Sequence, residues 1–440
     1  MPHELDKILI SLNQLSPTEF NKALFKLNEA VMQAAMFGVG DARSEDVIEI
    51  LCKVGEEGDK AVADFTLKFD KVKLTPEQFR ISEEDLKEAH KEIDPELLAS
   101  IRRAIENVRK YQSEIFIGNK ITHPGIKYTP IKRVGICVPG ASAPLPSTVI
   151  MTAVPAQVAG VEEIVVVSPP RYKSSIHPVI LAVCHELGIK EVYRIGGAQA
   201  VAALAWGTKT IEKVFKIVGP GNRWVQTAKQ KVFGFVDIDS IAGPSEVLII
   251  ANDDAKPAWV AADMLSQAEH DPGSAILFTD SHKLGEEVLE ELEKQVEQLE
   301  RTRETTECIK KFSKIAVFEN LQQVFEAANI VAPEHLQIQC GERSREIAEK
   351  IENAGAIFIG DYSPVAVGDY LAGPSHSLPT GLSAMFFSAL TSNDFIKSTS
   401  IIEYDKKKLA ESADDIIRLA EVEGLDAHAK SVKIRQQDQN

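Results

Sequence analysis

The sequence predicts an α/β protein with two Rossmann-like parallel-sheet domains, a helical N-terminal segment and a helical C-terminal tail. The first observation is that, from about residue 133, short β-branched runs alternate with helical stretches, which implies parallel sheets covered by helices. The second is that a Gly- and Pro-containing junction near residue 245 separates two similar βα blocks. These observations divide the chain into segments 1–115, 116–245, 246–380 and 381–440.

Composition restricts the class of protein. The 440-residue chain has a formal net charge of −16 and five scattered cysteines without a CxxC spacing. The charge argues against nucleic acid and anionic membranes as partners, and the cysteines fit a reducing cytosol and exclude a thiolate zinc site. The first residues lack the regions of a signal peptide, and no apolar run is long enough to span a bilayer. We therefore expect a cytoplasmic protein.

The first 115 residues predict helices that act as a scaffold or a dimerisation surface. Residues 16–19, Ser-Pro-Thr-Glu, form a capping box with proline at the first helical position. Residues 94–96, Asp-Pro-Glu, open another helix with an apolar stripe on one face. This segment carries no recognisable chemistry.

In the alternating region, each apolar run predicts one strand or one helix. The first block predicts strands at 134–138, 163–168, 191–195 and 213–218 and helices at 148–160, 178–187 and 198–206. The second block predicts strands at 247–251, 275–279, 314–318 and 355–359, with a helix at 257–270. Helices return after about residue 380.

Three Gly-rich loops follow predicted strands of the first block, at 138–142, 195–199 and 218–222. Open α/β sheets bind ligands at such strand ends, where backbone N–H groups can hold a phosphate. Each loop alone is weak evidence, because Gly-rich turns also occur for steric reasons and none is a GxGxxG with a later acidic residue. The three together predict nucleotide binding.

The helix at 257–270 ends with two potential metal ligands. Gln267 and His270 are three residues apart and therefore point the same way from the last turn. The partial negative charge of a helix C-terminus suits a cation there. The alternative is a polar helix end with a solvated histidine.

Residues 332–336 place Glu334 beside His335 at what we interpret as a strand-to-helix turn. The two side chains fit a proton-transfer pair, since histidine titrates near neutral pH and a glutamate can activate water. They equally fit an ordinary helix start, with proline first and an acidic residue favoured by the helix dipole.

Two later segments carry further candidates. The long Gly- and Pro-rich loop 363–376 contains Asp369 and His376, and loops of this kind are often functional. Segment 421–428 ends at His428, which is a surface residue unless another element positions it.

Taken together, these stretches resemble the histidinol dehydrogenase family over about residues 45–435. The most specific match is 238–270, where Ile-Asp-x-x-Ala-Gly-Pro-Ser-Glu leads to Ser-Gln-Ala-Glu-His. Four further motifs match: Val-Gly-Pro-Gly-Asn at 218–222, Ala-Pro-Glu-His-Leu at 332–336, Gly-Asp-Tyr at 368–370 with His376, and Glu-Gly-Leu at 423–425 with His428.

The resemblance implies a homodimeric zinc enzyme of histidine biosynthesis. Such an enzyme oxidises L-histidinol to L-histidine through L-histidinaldehyde, using two NAD+ in sequence. The resemblance also implies one zinc ion per subunit, bound by Gln267, His270 and Asp369 together with His428 of the partner subunit. The active site is then shared between the subunits of the dimer.

The resemblance further assigns roles by position. His335 corresponds to the general base of the oxidation steps, and Glu334 to the residue that activates water on the aldehyde. Gln199 and Asn222 match dinucleotide-contacting positions. The positions that match substrate contacts are Ser245, Gln267, His270, His335, Asp369, His376, Glu423 and His428.

The chain departs from the family at the first Gly-rich loop. Cys137 stands where the family often has a dinucleotide-contacting tyrosine, and Ala141 replaces a glycine. Cys137 is either a redox-sensitive thiol at the cofactor mouth or a small buried residue. Two other functions stay open: a relative acting on another amino- or sulfo-alcohol, and a non-catalytic nucleotide- or metal-binding scaffold.

Overall fold

Two parallel sheets form the framework of the protein in a computed structural model. Both lie in the larger of two compact units, which comprises residues 1–117 and 130–395, whereas residues 118–129 and 396–440 form the smaller unit. The structure describes residues 5–13, 19, 22–23, 26, 43–120, 123–140, 144–270 and 273–437.

The first sheet has five parallel strands with Arg133–Cys137 at its centre, in the strand order of a Rossmann half. The central strand is buried along its whole length because helices cover both faces. Across the sheet the strands are Glu191–Tyr193, Glu163–Val167, Arg133–Cys137, Lys216–Val218 and Asp237–Ile238. The helices of this region are Arg43–Glu57, Asp59–Asp70, Glu83–Glu92, Pro95–Ile115, Pro146–Ala159, Pro178–Glu186, Gly197–Trp206 and Arg223–Val232.

The second sheet has six parallel strands, and alternate residues of its strand Glu246–Ala251 enter two separate apolar cores. Both faces are therefore covered, which explains the continuous apolar run in the sequence. Across the sheet the strands are Leu9–Ser11, Lys314–Val317, Ser274–Thr279, Glu246–Ala251, His335–Gln339 and Ala356–Ile359. The helices are Pro257–Ala268, His282–Val296, Thr302–Phe312, Leu321–Val331, Ser344–Ala348 and Val365–Tyr370.

The smaller unit contains the helical C-terminal tail. Its helices Lys406–Val422 and Asp426–Gln437 form a helical hairpin. The turn between them contains Gly424, which adopts a positive φ of 71°. A core of Ala413, Ile417, Ala420, Ala429 and Val432 joins them. The strand Ile396–Ser400 precedes them and pairs with Ile126–Pro130.

The predicted fold class is confirmed, with both parallel sheets and the helical tail in place. Most strand and helix ends differ from the prediction by one or two residues. The boundaries of the four predicted segments stay a prediction. Within the described ranges, none of the helices combines the length and apolar character needed to span a membrane.

Two expectations were wrong. The N-terminal segment is not entirely helical, since Leu9–Ser11 adds a sixth strand beside Lys314–Val317. Residues 332–336 form a helix-to-strand turn and not a strand-to-helix turn: helix Leu321–Val331 ends there, and His335 is the first residue of a strand. The predicted capping box at 16–19 lies almost wholly outside the described residues, and Ala141 also lies outside them.

Candidate active site

A cavity of about 290 Å³, here called the glycine-lined cavity, opens at the carboxyl ends of the first sheet. Segments that follow four successive strands line it, as expected for a ligand site in an open parallel sheet. They include Val138–Gly140, Pro169, Gly196–Gln199 and Pro220–Asn222. The position of all three Gly-rich loops at one cavity agrees with the predicted phosphate-binding role.

Gln199 and Asn222 both line this cavity but differ in their environment. Gln199 is buried, and neither polar atom of its amide has a hydrogen-bond partner within the described part of the chain. A ligand in the cavity would satisfy such an amide. Asn222 is exposed, and its Oδ1 accepts from the N–H groups of Trp224 and Val225, so it caps the helix Arg223–Val232.

Cys137 is also buried at this cavity, and burial raises the pKa of its thiol to about 12. The thiolate is the reactive form of cysteine. The structure therefore favours the interpretation of Cys137 as a small packing residue over that of a redox-sensitive thiol.

The turn after strand Lys216–Val218 separates the glycine-lined cavity from a second one, and Pro220 lines both. Gly219 is required at this turn: its φ is 102°, and a Cβ atom there would lie 2.3 Å from the carbonyl oxygen of Cys137. Asp239 accepts from the Gly219 N–H at 2.7 Å, and the buried Lys229 donates to the Gly219 carbonyl at 3.0 Å and pairs with Asp239. This buried ion pair fixes the wall between the cavities.

The second cavity, here called the acid–base cavity, has a volume of about 210 Å³. It lies at the amino ends of the second sheet, since Ser245 precedes one strand and His335 begins another. The structure brings most of the predicted site residues together here: Ser245, Gln267, His270, Glu334, His335, Asp369 and His376. Glu423 and His428 belong to the smaller unit, where both are exposed.

Glu334 is buried and oriented by two donors. The Ser245 hydroxyl donates to Glu334 Oε2 at 2.7 Å, and the backbone N–H of Glu246 donates to the same oxygen at 2.8 Å. Both donors belong to the segment that leads into strand Glu246–Ala251. The carboxylate is thus held in one orientation at the cavity wall.

His335 is oriented through its other ring nitrogen. Its Nδ1 lies 3.0 Å from the carbonyl oxygen of Glu246, which can only accept, so Nδ1 carries the proton. Nε2 is buried and has no hydrogen-bond partner among the described residues, and the Asp369 carboxylate lies 4.0 Å away. Burial opposes a charge on the ring, but Glu334 and then Asp369 outweigh it and raise the pKa of His335 to about 9. In its neutral form, which prevails above that pKa, the ring is therefore a strong proton acceptor at Nε2.

Glu246 is a buried carboxyl group that sequence reasoning missed. Its Oε1 accepts from the backbone N–H of Gly381 at 2.8 Å, while its own backbone groups hold Glu334 and His335. Burial, and then the charge of Glu334, raise the pKa of Glu246 from its ordinary value of 4.5 to about 8. Only its position in the Gly-Pro-Ser-Glu motif was visible in the sequence.

We expect the free energy of unfolding to depend on pH through Glu246. Its folded-state pKa is raised, so its contribution is fully present below pH 4.5 and is lost as the pH rises towards 8. Glu246→Gln stays neutral at every pH and keeps an acceptor for Gly381. In this variant the fall in the free energy of unfolding between pH 5 and pH 8 should be smaller by up to about 4 kcal/mol. Urea unfolding at pH 5, 6.5 and 8 measures it. An unchanged pH profile in the variant would contradict the assignment.

The metal-ligand candidates occupy one side of the acid–base cavity. Gln267 is buried in the last turn of helix Pro257–Ala268, and its amide nitrogen has no hydrogen-bond partner in the described ranges. His270 is exposed just beyond that turn, and the side chain of Asp369 is 29% exposed. Among the described residues, no group of three His, Cys, Asp or Glu side chains is placed to hold a metal ion. The amide oxygen of Gln267, the imidazole of His270 and the carboxylate of Asp369, which line one cavity, nevertheless fit an incomplete nitrogen- and oxygen-donor set.

His376 also reaches this cavity, on the loop that follows helix Val365–Tyr370. Its Nε2 is buried without a partner in the described structure, and burial lowers the pKa of the ring. A neutral imidazole at this position suits recognition of a polar substrate group. The cavity also includes Thr148 and Thr380, which the sequence did not single out, and Asp239 and Tyr370, which the sequence analysis contained only as members of longer motifs.

The Rossmann-type order of the first sheet, its glycine-lined cavity and the adjoining acid–base cavity agree with the architecture of a dinucleotide-dependent dehydrogenase. The family profile for histidinol dehydrogenase matches residues 39–436 of the chain. The chain therefore belongs to the histidinol dehydrogenase family.

Individual relatives agree with this assignment. A histidinol dehydrogenase from Rhodopirellula baltica is 48% identical over 398 residues, covering 89% of this chain and 86% of the relative. One from Aquifex aeolicus is 45% identical and covers 96% of this chain and 99% of the relative. A crystal structure of histidinol dehydrogenase from Elizabethkingia anophelis superposes with a TM-score of 0.89 at 35% identity, covering 98% of each chain.

Proposed function

We propose that the chain oxidises L-histidinol to L-histidine through L-histidinaldehyde, with two NAD+ reduced in sequence, as the last steps of histidine biosynthesis. The observation that carries this proposal is the buried pair Glu334 and His335, which faces a cavity that meets the glycine-lined cavity at Pro220. A proton acceptor beside a nucleotide site, with the two cavities meeting at Pro220, is what a hydride transfer from an alcohol requires. Family membership supplies the substrate class.

His335 acts as the general base in this proposal. His335 lines the cavity and its Nδ1 is held by the Glu246 carbonyl, so Nε2 is the ring atom left to accept the hydroxyl proton of the bound alcohol. Glu334, held by Ser245 and the Glu246 N–H, activates the water that attacks the aldehyde. Among the described residues that line the acid–base cavity, no cysteine is present to act as a thiolate nucleophile, so an activated water is the consistent choice.

NAD+, when bound, supplies the hydride acceptor. We place it in the glycine-lined cavity, with Gln199 and Asn222 as contacts. The buried, unpartnered amide of Gln199 supports the first contact. For Asn222, whose oxygen caps a helix, the amide nitrogen is the group that remains for a ligand.

We propose one zinc ion per subunit, bound by Gln267, His270 and Asp369 and by His428 of the partner subunit. Zinc, when bound, would orient and polarise the substrate without a redox role. Three of these side chains line one cavity, which supports a partial ligand set that a further ligand completes. The protein would then be a homodimer whose active sites are shared. The proposed substrate contacts are Ser245, Gln267, His270, His335, Asp369, His376, Glu423 and His428.

We also place the protein in the cytoplasm. The five cysteines, all of them among the described residues, form no disulfide, and four of them are buried. Free cysteines without disulfides are typical of a reducing compartment.

The test of the proposed function is the amount of NADH formed per L-histidinol consumed by the purified, zinc-loaded protein. About two NADH per substrate are expected when both oxidations occur on one enzyme. A ratio near one would overturn the proposed complete oxidation and place the aldehyde in solution. No turnover with metal bound would favour another amino- or sulfo-alcohol as the substrate.

We expect His428→Ala to weaken zinc retention at least about tenfold, since removal of one ligand of a four-ligand site costs much of its affinity. Zinc content after dialysis against a chelator measures this, with Lys430→Ala, an exposed change in the same helix, as the control. A second experiment mixes His428→Ala with His335→Asn protein and measures turnover. Random association should restore turnover at about a quarter of all sites, because half of the dimers are heterodimers and one site of each heterodimer has both residues intact. Wild-type zinc retention, or no recovery on mixing, would contradict a shared site.

A further inference from the structure

Three polar side chains of strand His335–Gln339 lie on the sheet face that helix Pro257–Ala268 covers. They are those of His335, Gln337 and Gln339. Their register partners on the neighbouring strand pack with the helix in one apolar core, and these partners are Val247, Ile249 and Ala251. Both glutamines are only 1% exposed. A buried amide is costly in an apolar layer, so packing alone does not explain why glutamine occupies these positions.

Asp263 of the helix is the hydrogen-bond partner of both glutamines. Its Oδ2 accepts from Gln339 Nε2 at 2.8 Å and from Gln337 Nε2 at 3.0 Å. We call these three side chains the amide–carboxylate cluster. Because a carboxylate can only accept, both amide nitrogens point to it, and both amide oxygens have no hydrogen-bond partner among the described residues. The cluster is therefore no more stabilising than an apolar layer of the same volume.

The cluster fixes the register of the helix on the strand. The helix connects two parallel strands and therefore runs opposite to the strand direction. The strand spans about 6.6 Å from Gln337 back to His335, and the helix rises about 6 Å from Asp263 to Gln267. Gln267 is thus brought level with His335, and both line the acid–base cavity.

The cluster also contacts the segment that leads to Asp369. Gln337 Nε2 donates to the Ser363 carbonyl at 3.4 Å, two residues before helix Val365–Tyr370, which contains Asp369. One cluster thus joins the three elements that carry the proposed metal ligands of this chain and the proposed base. Apolar packing is non-directional and permits such elements to slide. A slide of the helix by one turn would leave the carboxylate and both amides buried without partners, so the cluster selects one arrangement.

We propose that Asp263 is a positioning residue for the zinc site, because the amide–carboxylate cluster sets the separation of Gln267 and Asp369. Among the described residues that line the acid–base cavity, none belongs to the cluster, so Asp263 acts through the elements that it joins. The cluster holds the ligands at one separation before the metal binds, and without it zinc binding must also reorganise the helix. This inference rests on the proposed zinc site.

The test compares thermal stability with zinc affinity in a variant whose cluster is replaced by apolar residues of similar size. The triple variant carries Asp263→Leu, Gln337→Met and Gln339→Met. Its melting temperature should equal or exceed that of the wild type, because no polar group of the cluster remains buried. Its zinc affinity, measured by transfer of zinc from the loaded protein to a chelator of known affinity, should fall at least about tenfold, the scale on which support of metal ligands acts.

Asp263→Asn is the conservative variant. Its amide oxygen can accept from both glutamines, so the register is kept and the zinc affinity should stay within a few-fold of the wild type. Gln112→Met is the matched control, since it removes a buried amide that accepts from the Ser392 N–H and lines neither cavity. That control should lower the melting temperature and leave the zinc affinity unchanged.

Loss of zinc affinity in the triple variant at an undiminished melting temperature, with Asp263→Asn close to the wild type, supports the inference. Wild-type zinc affinity in the folded triple variant would overturn it and leave the zinc site standing. A tenfold loss in Asp263→Asn would also overturn it, since the charge and not the register would then matter. Absence of zinc binding by the wild-type protein would instead overturn the proposed zinc site. If the triple variant does not fold, Gln337→Met alone should still lower the zinc affinity several-fold, and an unchanged value there would contradict the inference.

Discussion

The His335→Asn variant should lose between about 10²- and 10⁴-fold of kcat for L-histidinol oxidation, the range that a positioned general base contributes. The physical reason lies in the two ring nitrogens. Nδ1 donates to the Glu246 carbonyl, a bond that the asparagine amide can also make. Nε2, which has no partner in the described structure, disappears with the ring. The substitution therefore removes the proton acceptor and retains the hydrogen bond to the Glu246 carbonyl.

The measurement is NADH formation at saturating L-histidinol and NAD+, with zinc content and melting temperature recorded on the same samples. His282→Asn, at a half-exposed histidine on helix His282–Val296, is the matched control and should keep wild-type turnover. Binding of ADP-ribose should be equal in all three proteins, because His335 does not line the glycine-lined cavity. A His335→Asn rate within a few-fold of wild type would remove the general-base assignment.

The local sequence was sufficient for most of the framework. The run 247–251 predicted a buried strand because five consecutive apolar residues fit a sheet covered on both faces, and the structure has that strand at Glu246–Ala251. The three Gly-rich loops were placed at strand ends by the same alternation, and they meet at one cavity. These features depend on residues that are close in sequence, so periodicity and turn chemistry reveal them.

The remaining features depend on contacts between distant segments. Leu9–Ser11 is too short for a periodic signal and becomes a strand only because Lys314–Val317 offers a sheet edge. The direction of the turn at 332–336 was misread because proline and glutamate also mark helix starts. The alternation of His335–Gln339, with Leu336 and Ile338 in the apolar core, was the signal that predicts a strand.

The arrangement of the acid–base cavity also depends on contacts between distant segments. Glu246 matters because its side chain meets Gly381, 135 residues further along the chain, while its backbone holds Glu334 and His335. No local pattern predicts such a contact. The candidate side chains were identifiable from residue type and resemblance, but their common location at the amino ends of the second sheet required the strand order.

Glu334→Gln should separate the two oxidations. The amide can place its oxygen where Ser245 and the Glu246 N–H donate, so the cavity wall keeps its geometry. It cannot take a proton from water, and in the proposed function an activated water attacks the aldehyde in the second oxidation. We therefore expect oxidation of supplied L-histidinaldehyde to fall at least about 10²-fold, while oxidation of the alcohol remains measurable.

The measurement combines NADH counting with an aldehyde trap such as hydroxylamine. In the variant, about one NADH per L-histidinol is expected, together with one trapped aldehyde, because a single hydride transfer is complete at that point. Glu342→Gln, at an exposed carboxylate, is the control and should retain two NADH with little trapping. A ratio of two in Glu334→Gln, with an unchanged rate on the aldehyde, would assign water activation to another group. Equal losses in both oxidations would make Glu334 a support for His335, which lies 3.4 Å from it, and not the group that activates water.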